Sequence, residues 1–223
     1  MVKLIIAGDS TAANKTADKR PETGWGEKIQ SFLSTDFSVI NLAMNGRSTK
    51  SFIQEKRLLT AEALLAPGDY FLIQFGHNDQ KTDPERGTTP EEYQRNLAQF
   101  VATAQNKQAI PILLTSITRL KFNAQQLDPL AVGPYPEAMK DFARTHNIDC
   151  LYIFTSTQNF FSKLTPEEAL TYFLHISKNE HPNYPEGIQD NTHLNDQGAL
   201  TVARLICQAI KEANLSLSSK IVL

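Results

Sequence analysis

A serine, a histidine and an aspartate stand in this chain where a proton relay would need them. Ser10 follows a short aliphatic run, Val2 to Ala7, in the opening stretch MVKLIIAGDSTAAN. His193 lies near the other end, in DNTHLN, and Asp190 heads the same stretch. Acyl transfer needs a nucleophile, a base, a group that orients the base, and donors for an oxyanion. Ser10 suits the first role and His193 the second. Asp190 is placed to hold the other imidazole nitrogen and fix its tautomer. The backbone N–H groups of Ser10 and Gly46 and the side-chain amide of Asn78 are the candidate oxyanion donors. Glycine at 46 is read as a place where close backbone approach to a substrate tolerates no β-carbon.

Each piece also has a plainer reading. A serine after a strand is more often a turn residue or a helix cap. Gly46 alone reads as a turn, and His77 and Asn78 as caps of a following helix. Asp190 and His193 read as a surface loop, as do Asp83, His175 and His181. The joint pattern, in this order and each piece after an apolar run, is much harder to reach by accident.

Five short apolar runs predict the strands that must position these groups: Lys3–Ala7, Phe37–Leu42, Tyr70–Phe75, Ile110–Thr115 and Cys150–Phe154. They are near-continuous rather than alternating, the pattern of strands covered on both faces. Helical periodicity separates them at Trp25–Leu33, Ser51–Leu65, Pro90–Lys107, Pro136–His146 and Asn195–Ala213. Thr89-Pro90-Glu91-Glu92 places proline at a first helical position with acids in the first turn. This alternation predicts an α/β, doubly wound parallel sheet in a single domain over residues 1–223. Ligands of such sheets bind beyond the carboxyl ends of the strands. Gly8-Asp9-Ser10, Asn45-Gly46-Arg47-Ser48, Gly76-His77-Asn78-Asp79 and the Ser116 to Arg119 stretch all fall there. Asp9 is expected to organise its loop by accepting local backbone N–H groups. Lys121–Pro134 and Asn159–Asn191 are too long for plain connectors and read as functional excursions.

The 223 residues are 41% hydrophobic and 21% charged, with a net charge of -2. That balance gives no electrostatic case for a nucleic-acid or membrane partner. No stretch approaches the apolar length that crosses a bilayer. The run before Gly8 is too short for a signal-peptide core, so a cytoplasmic location is expected. Cys150 and Cys207, far apart in apolar contexts, read as buried free thiols. No metal and no other cofactor is expected.

The blocks AGDSTAA, NLAMNGRS, QFGHND and DNTHLNDQGA resemble the four signature blocks of the SGNH (GDSL) hydrolases, spread over nearly the whole chain. The resemblance implies a three-layer, flavodoxin-like fold with a five-stranded parallel sheet flanked by helices. It implies Ser10 as nucleophile, Ser10, Gly46 and Asn78 as the oxyanion hole, and His193 with Asp190 as base and orienter. GDST, TGWG at 23–26, GRSTKSF, QFGHND, PYPEAM at 134–139 and DNTHLN are similar to the rhamnogalacturonan acetylesterase branch. Members of that branch deacetylate a galacturonate-containing pectin backbone, so an acetylated oligosaccharide is the implied substrate. A galacturonate carboxylate calls for a nearby cation. Arg47, Arg119, His77 and Phe122 are the candidate substrate contacts, with His77 first expected to hold the Asn78 loop in place. Lys50 stands where the branch pattern has arginine, and lysine makes no bidentate carboxylate clamp. The absence of a visible leader suggests action on imported oligosaccharides.

Three other readings compete. Metal-dependent hydrolysis could draw on His77, Asp79, Asp190 and His193, but it leaves Ser10, Gly46 and Asn78 unexplained. An SGNH lipid esterase or thioesterase would share the same blocks, although no apolar stretch advertises an acyl-chain tunnel. A non-catalytic sugar- or nucleotide-binding module fits the frame, yet GDSTAA has one glycine and no lysine at a P-loop position. An ordinary α/β-hydrolase elbow is disfavoured, because it needs several strands before its serine.

Overall fold

In the computed structural model, which describes residues 2–123 and 126–223, the aliphatic runs become strands of one parallel sheet. The strands are β1 (Lys3–Gly8), β2 (Ser38–Asn41), β3 (Tyr70–Gln74), β4 (Ile110–Leu114) and β5 (Cys150–Leu151). Their spatial order is β2-β1-β3-β4-β5, with Leu4 opposite Tyr70 and Tyr70 opposite Ile110 at the centre. Side chains alternate between the two faces of a strand. Leu4 and Ile6 therefore enter one core with Leu72, Ile112 and Leu114, while Ile5 and Ala7 enter the other with Phe71, Ile73 and Leu113.

Helices close both cores. On the first face α1 (Trp25–Lys28) and α8 (Asp196–Glu212) bring Trp25, Val202, Ile206 and Ile210, and α6 (Ile153–Phe161) adds Phe161. The second face takes α2 (Thr49–Gln54), α3 (Arg57–Leu64), α4 (Pro90–Asn106) and α5 (Tyr135–His146). Phe52, Phe75 and Phe100 pack there with ring centroids 5.2–5.6 Å apart, directly beneath the loop that leaves β3. Aromatic pairs at such spacing add about 0.5–1.5 kcal/mol each beyond the area they bury. The α4 start is as its residues predict: Glu92 N donates to Thr89 Oγ1, and Thr89 N donates to the Glu92 carboxylate at 2.8 Å.

The structure corrects several sequence-based boundaries. The Cys150–Phe154 run is a strand for two residues only, and Ile153 and Phe154 are buried as the first turn of α6. Trp25–Leu33 is a four-residue α-helix followed by a 3-10 turn over Ile29–Phe32. Ser51–Leu65 is two helices, because Lys56 between them adopts a left-handed φ of 61°. No helix follows His77 and Asn78 directly; the chain turns there, and α4 begins only at Pro90. Of the Lys121–Pro134 excursion, residues 124 and 125 lie outside the described residues. Phe122–Asn123 and Gln126–Leu127 pair as a short antiparallel hairpin within it.

The second excursion carries α7 (Pro166–Leu170) and a hairpin of β6 (Phe173–Ile176) with β7 (Ile188–Leu194). Asp190 and His193 belong to β7. Leu174 faces Asp190, yet the adjacent residue Phe173 faces Leu194. Asn191, Thr192 and His193 therefore bulge out of the ladder. Bulges of this kind re-aim side chains at the edge of a sheet.

Candidate active site

Four chain segments meet beyond the carboxyl ends of β1, β2 and β3. The first is the turn after β1. Asp9 Oδ1 accepts from Thr11 N at 2.9 Å and from Thr11 Oγ1 at 2.7 Å, and Asp9 O accepts from the N–H groups of Ala12 and Ala13. TGWG packs against this turn. A β-carbon on Gly24 would lie 2.2 Å from Ala13 O, and the Trp25 indole N–H reaches Gln74 Oε1 at 3.0 Å.

The second segment is the loop after β2, tied to the first by Met44 N donating to Gly8 O at 3.0 Å. Gly46 has φ +77°, and a β-carbon there would meet nothing within 4 Å. Within the protein, glycine is needed at 46 for its backbone conformation, because no neighbouring protein atom would crowd a β-carbon there. The third segment leaves β3. Its root, the Phe75 carbonyl, accepts from Ser116 Oγ at 2.8 Å and Tyr93 Oη at 2.9 Å. Asp79 joins it to the second loop by accepting from Thr49 N at 3.1 Å and Thr49 Oγ1 at 2.5 Å. Burial pushes the Asp79 carboxyl up to about 7, with the Thr49 and Thr88 hydrogen bonds opposing the rise.

The fourth segment is the β7 bulge. It is fastened by Leu120 N to Asn191 O at 2.8 Å, Thr23 N to Leu194 O at 2.9 Å, and Arg119 Nε to Thr192 Oγ1 at 3.0 Å. Held in this way, His193 Nε2 stands 2.8 Å from Ser10 Oγ, and His193 Nδ1 stands 2.7 Å from Asp190 Oδ2. Asp190 Oδ1 also accepts from the backbone N–H groups of Thr192 at 2.8 Å and His193 at 3.0 Å. Burial works to raise the Asp190 carboxyl. The His193 ring bond, the His193 charge and those two N–H groups outweigh it and hold the group well below the usual carboxylate range. An ionised Asp190 requires Nδ1 to carry a proton, which leaves the Nε2 lone pair directed at Ser10.

Asn78 Nδ2 donates to Arg47 O at 3.0 Å, and its second N–H is left over. Among the described residues, the Ser10 and Gly46 N–H groups donate to no protein acceptor. Ser10, Gly46, Asn78 and His193 line one cleft of about 560 Å³. His77 lines it too but is buried, and neither ring nitrogen has a partner in good hydrogen-bond geometry. Burial lowers the His77 imidazole to about 4, against the pull of Asp9.

The structure does not bring all four candidate substrate contacts together. Arg119 lines the cleft, whereas Arg47 turns away to Glu55 at 2.9 Å and to Asn45 O at 2.7 Å. Phe122 lines a separate groove with Leu127, Gln158 and Phe161. Lys50 Nζ reaches Pro84 O at 2.5 Å, outside the cleft. Sequence reasoning missed Lys19 and Lys81, which join Arg119 on the cleft wall. It also missed Lys15 and Glu22, which lie beneath Ser10 and His193. Their only signal was position within the polar loop between GDST and TGWG.

Asp79, one of the four ligands a metal reading would need, is turned to Thr49 and Thr88. Among the described residues no three His, Cys, Asp or Glu side chains are grouped to hold a metal ion. Among the same residues no helix is long and apolar enough to cross a membrane. Cys207 is buried and Cys150 half-buried, both as free thiols, and burial pushes each up to about 12.

A model of the GDSL-like lipase/acylhydrolase family matches residues 6–200. The chain belongs to that family. It is 38% identical to the rhamnogalacturonan acetylesterase RhgT of Bacillus subtilis (strain 168) over 99% of its own length and 94% of the relative's. Among solved structures it superposes on the YxiM protein of Bacillus subtilis with a TM-score of 0.79 at 23% identity, covering 96% of this chain and 57% of that longer one. It also superposes on Axe2, an acetylxylan esterase from Geobacillus stearothermophilus, with a TM-score of 0.68 at 19% identity over 94% of each chain. The last two likenesses establish the three-layer fold. Family membership makes the chain a carboxylic ester hydrolase, and the binding-module reading falls away.

Proposed function

We propose that this GDSL-family hydrolase removes O-acetyl groups from carbohydrate, specifically from acetylated rhamnogalacturonan oligosaccharides, through an acyl-enzyme. The observation that carries the mechanism is the continuous path from Ser10 Oγ to His193 Nε2 at 2.8 Å and from His193 Nδ1 to Asp190 at 2.7 Å. His193 takes the Ser10 proton as Oγ bonds to the acetyl carbonyl carbon. The Ser10 N–H, the Gly46 N–H and the free Asn78 N–H receive the oxyanion. Collapse breaks the ester bond, and the sugar oxygen leaves with the proton from His193. Water then repeats the cycle and releases acetate. Residues 1–223 act in this scheme as one catalytic unit.

Two observations support the pectin-type substrate. One is the full-length similarity to RhgT. The other is the cleft wall of Lys19, Lys81 and Arg119, three cations that suit a uronate carboxylate. The deciding experiment is acetate release from acetylated rhamnogalacturonan oligosaccharides and from neutral acetylated xylooligosaccharides, wild type beside Ser10→Ala. Release from the acidic substrate alone, lost in the variant, is the expected result. Equal rates on both substrates would overturn the substrate assignment, and an active Ser10→Ala would overturn the mechanism.

A further inference from the structure

Lys15 is an unusual residue to find beneath a serine turn. Its side chain is wholly buried, and its ammonium meets three acceptors: Ser10 O at 2.6 Å, Asn45 Oδ1 at 2.7 Å and Glu22 Oε1 at 2.7 Å. Three donors with three partners leave nothing unsatisfied, which is the condition for keeping a lysine out of water. One cation thus joins the Ser10 turn, the loop bearing Gly46, and Glu22. The same Glu22 oxygen lies 4.0 Å from His193 Nε2, on the side of the ring facing Ser10. The loop between them is itself braced. Glu27 accepts from Lys15 N at 3.2 Å and from Arg20 Nη2 at 2.6 Å, and Arg20 also reaches Lys15 O at 3.4 Å.

We propose that Lys15 and Glu22 are a positioning pair: Lys15 locks the nucleophile turn to the oxyanion loop, and Glu22 gives His193 a second carboxylate. The inference rests on the Ser10–His193–Asp190 mechanism. Other charged or titratable groups face His193 as well. Asp190 comes from its own strand, His77 from the loop after β3 with Asp9 nearby, and Arg119 from the loop after β4. Lys19, Lys81 and Tyr184 line the same cleft. Among the described cleft-lining residues, Glu22 and Asp190 are the only carboxylates. Asp190 addresses Nδ1, so Glu22 is the one that favours a proton arriving on Nε2. Lys15 moderates that attraction by sharing the same oxygen.

The pair therefore makes opposed predictions for its two members. In Glu22→Gln the imidazolium loses a favourable charge, and the acidic limb of kcat/KM against pH moves down. In Lys15→Met the Glu22 charge is left unscreened, and the limb moves up. Each displacement should be roughly 0.5–1 pH unit, because the close ion pair cancels most of the bare attraction. The assay is hydrolysis of p-nitrophenyl acetate from pH 4.5 to 9 by wild type, the two variants and Ser10→Ala (the substrate is uncharged, so its own titration does not intrude). Thermal unfolding is run beside it. Opposite displacements support the inference. A Glu22→Gln limb that stays in place, with Ser10→Ala inactive, overturns it and leaves the triad standing. Should Lys15→Met fail to fold, the Glu22→Gln displacement decides alone. An active Ser10→Ala removes the triad and this inference with it.

Discussion

Asn78 carries two amide N–H groups, and only one is committed inside the protein. That one donates to the Arg47 carbonyl at 3.0 Å, while the other is free to meet an oxyanion beside Ser10 and Gly46. Asn78→Ala removes both at once, with consequences that separate cleanly. Losing the internal bond costs about 1 kcal/mol of stability, the net worth of a typical hydrogen bond. Losing a preorganised oxyanion donor lowers kcat by about 10²–10³-fold, or roughly 2.7–4 kcal/mol at the transition state. Urea unfolding reads the first quantity, and kcat on p-nitrophenyl acetate reads the second. Asn78→Asp keeps the shape without any N–H, so its kcat should fall as far. A loss under about tenfold in a folded Asn78→Ala, well below the range for such donors, would refute its place in the oxyanion hole.

Three further outcomes are expected. The Asp79 carboxyl titrates near 7 when folded and near its ordinary value, about 3.9, when unfolded, so wild-type stability should decline as pH rises between those values and level off above them. Asp79→Asn cannot ionise, and its melting temperature should gain on wild type across that window; parallel Tm curves would contradict the assignment. Lys81→Ala should raise KM for acetylated rhamnogalacturonan oligosaccharides by roughly two- to fivefold, an exposed-pair effect that salt erodes. The same variant should leave p-nitrophenyl acetate hydrolysis unchanged, and equal effects on both substrates would remove the carboxylate contact. Gly46→Ala should cost about 1 kcal/mol in urea unfolding, because alanine resists the positive φ although its β-carbon meets nothing. An unchanged unfolding midpoint would show that the loop does not need that conformation.

Much of the architecture is legible in the sequence, because continuous aliphatic runs have one economical use in an α/β protein. Lys3 to Ala7 and Tyr70 to Phe75 pack both faces of a sheet, and their endings in Gly8-Asp9-Ser10 and Gly76-His77-Asn78 mark the site edge. The limits are physical. A short apolar run has no period, so Cys150–Phe154 reads as strand even though Ile153 and Phe154 are buried by a helix. Periodicity at Ser51–Leu65 survives a break at Lys56, since the residues on either side still face one core. Arg119 and Arg47 look equivalent after their strands. Only the fold shows that Glu55 draws Arg47 away while Thr192 holds Arg119 at the cleft. Lys15 and Glu22 carry no spacing signal, because the contacts that define them run to Asn45 and His193, distant in sequence.

The β6–β7 hairpin divides its duties along its length. At the base, the bulge, the Leu194 carbonyl and the Asn195 side chain, which reaches Thr171 O at 2.7 Å, fix His193 without help from the tip. At the tip, Asn183 Nδ2 donates to Ala17 O at 2.8 Å and Arg20 O at 2.9 Å, and Tyr184 Oη donates to Lys19 O at 2.9 Å. Tyr184 and Lys19 thereby form one wall of the cleft. The tip thus shapes a wall of the cleft through one set of contacts, while the base of the hairpin holds the proton-handling residues through another.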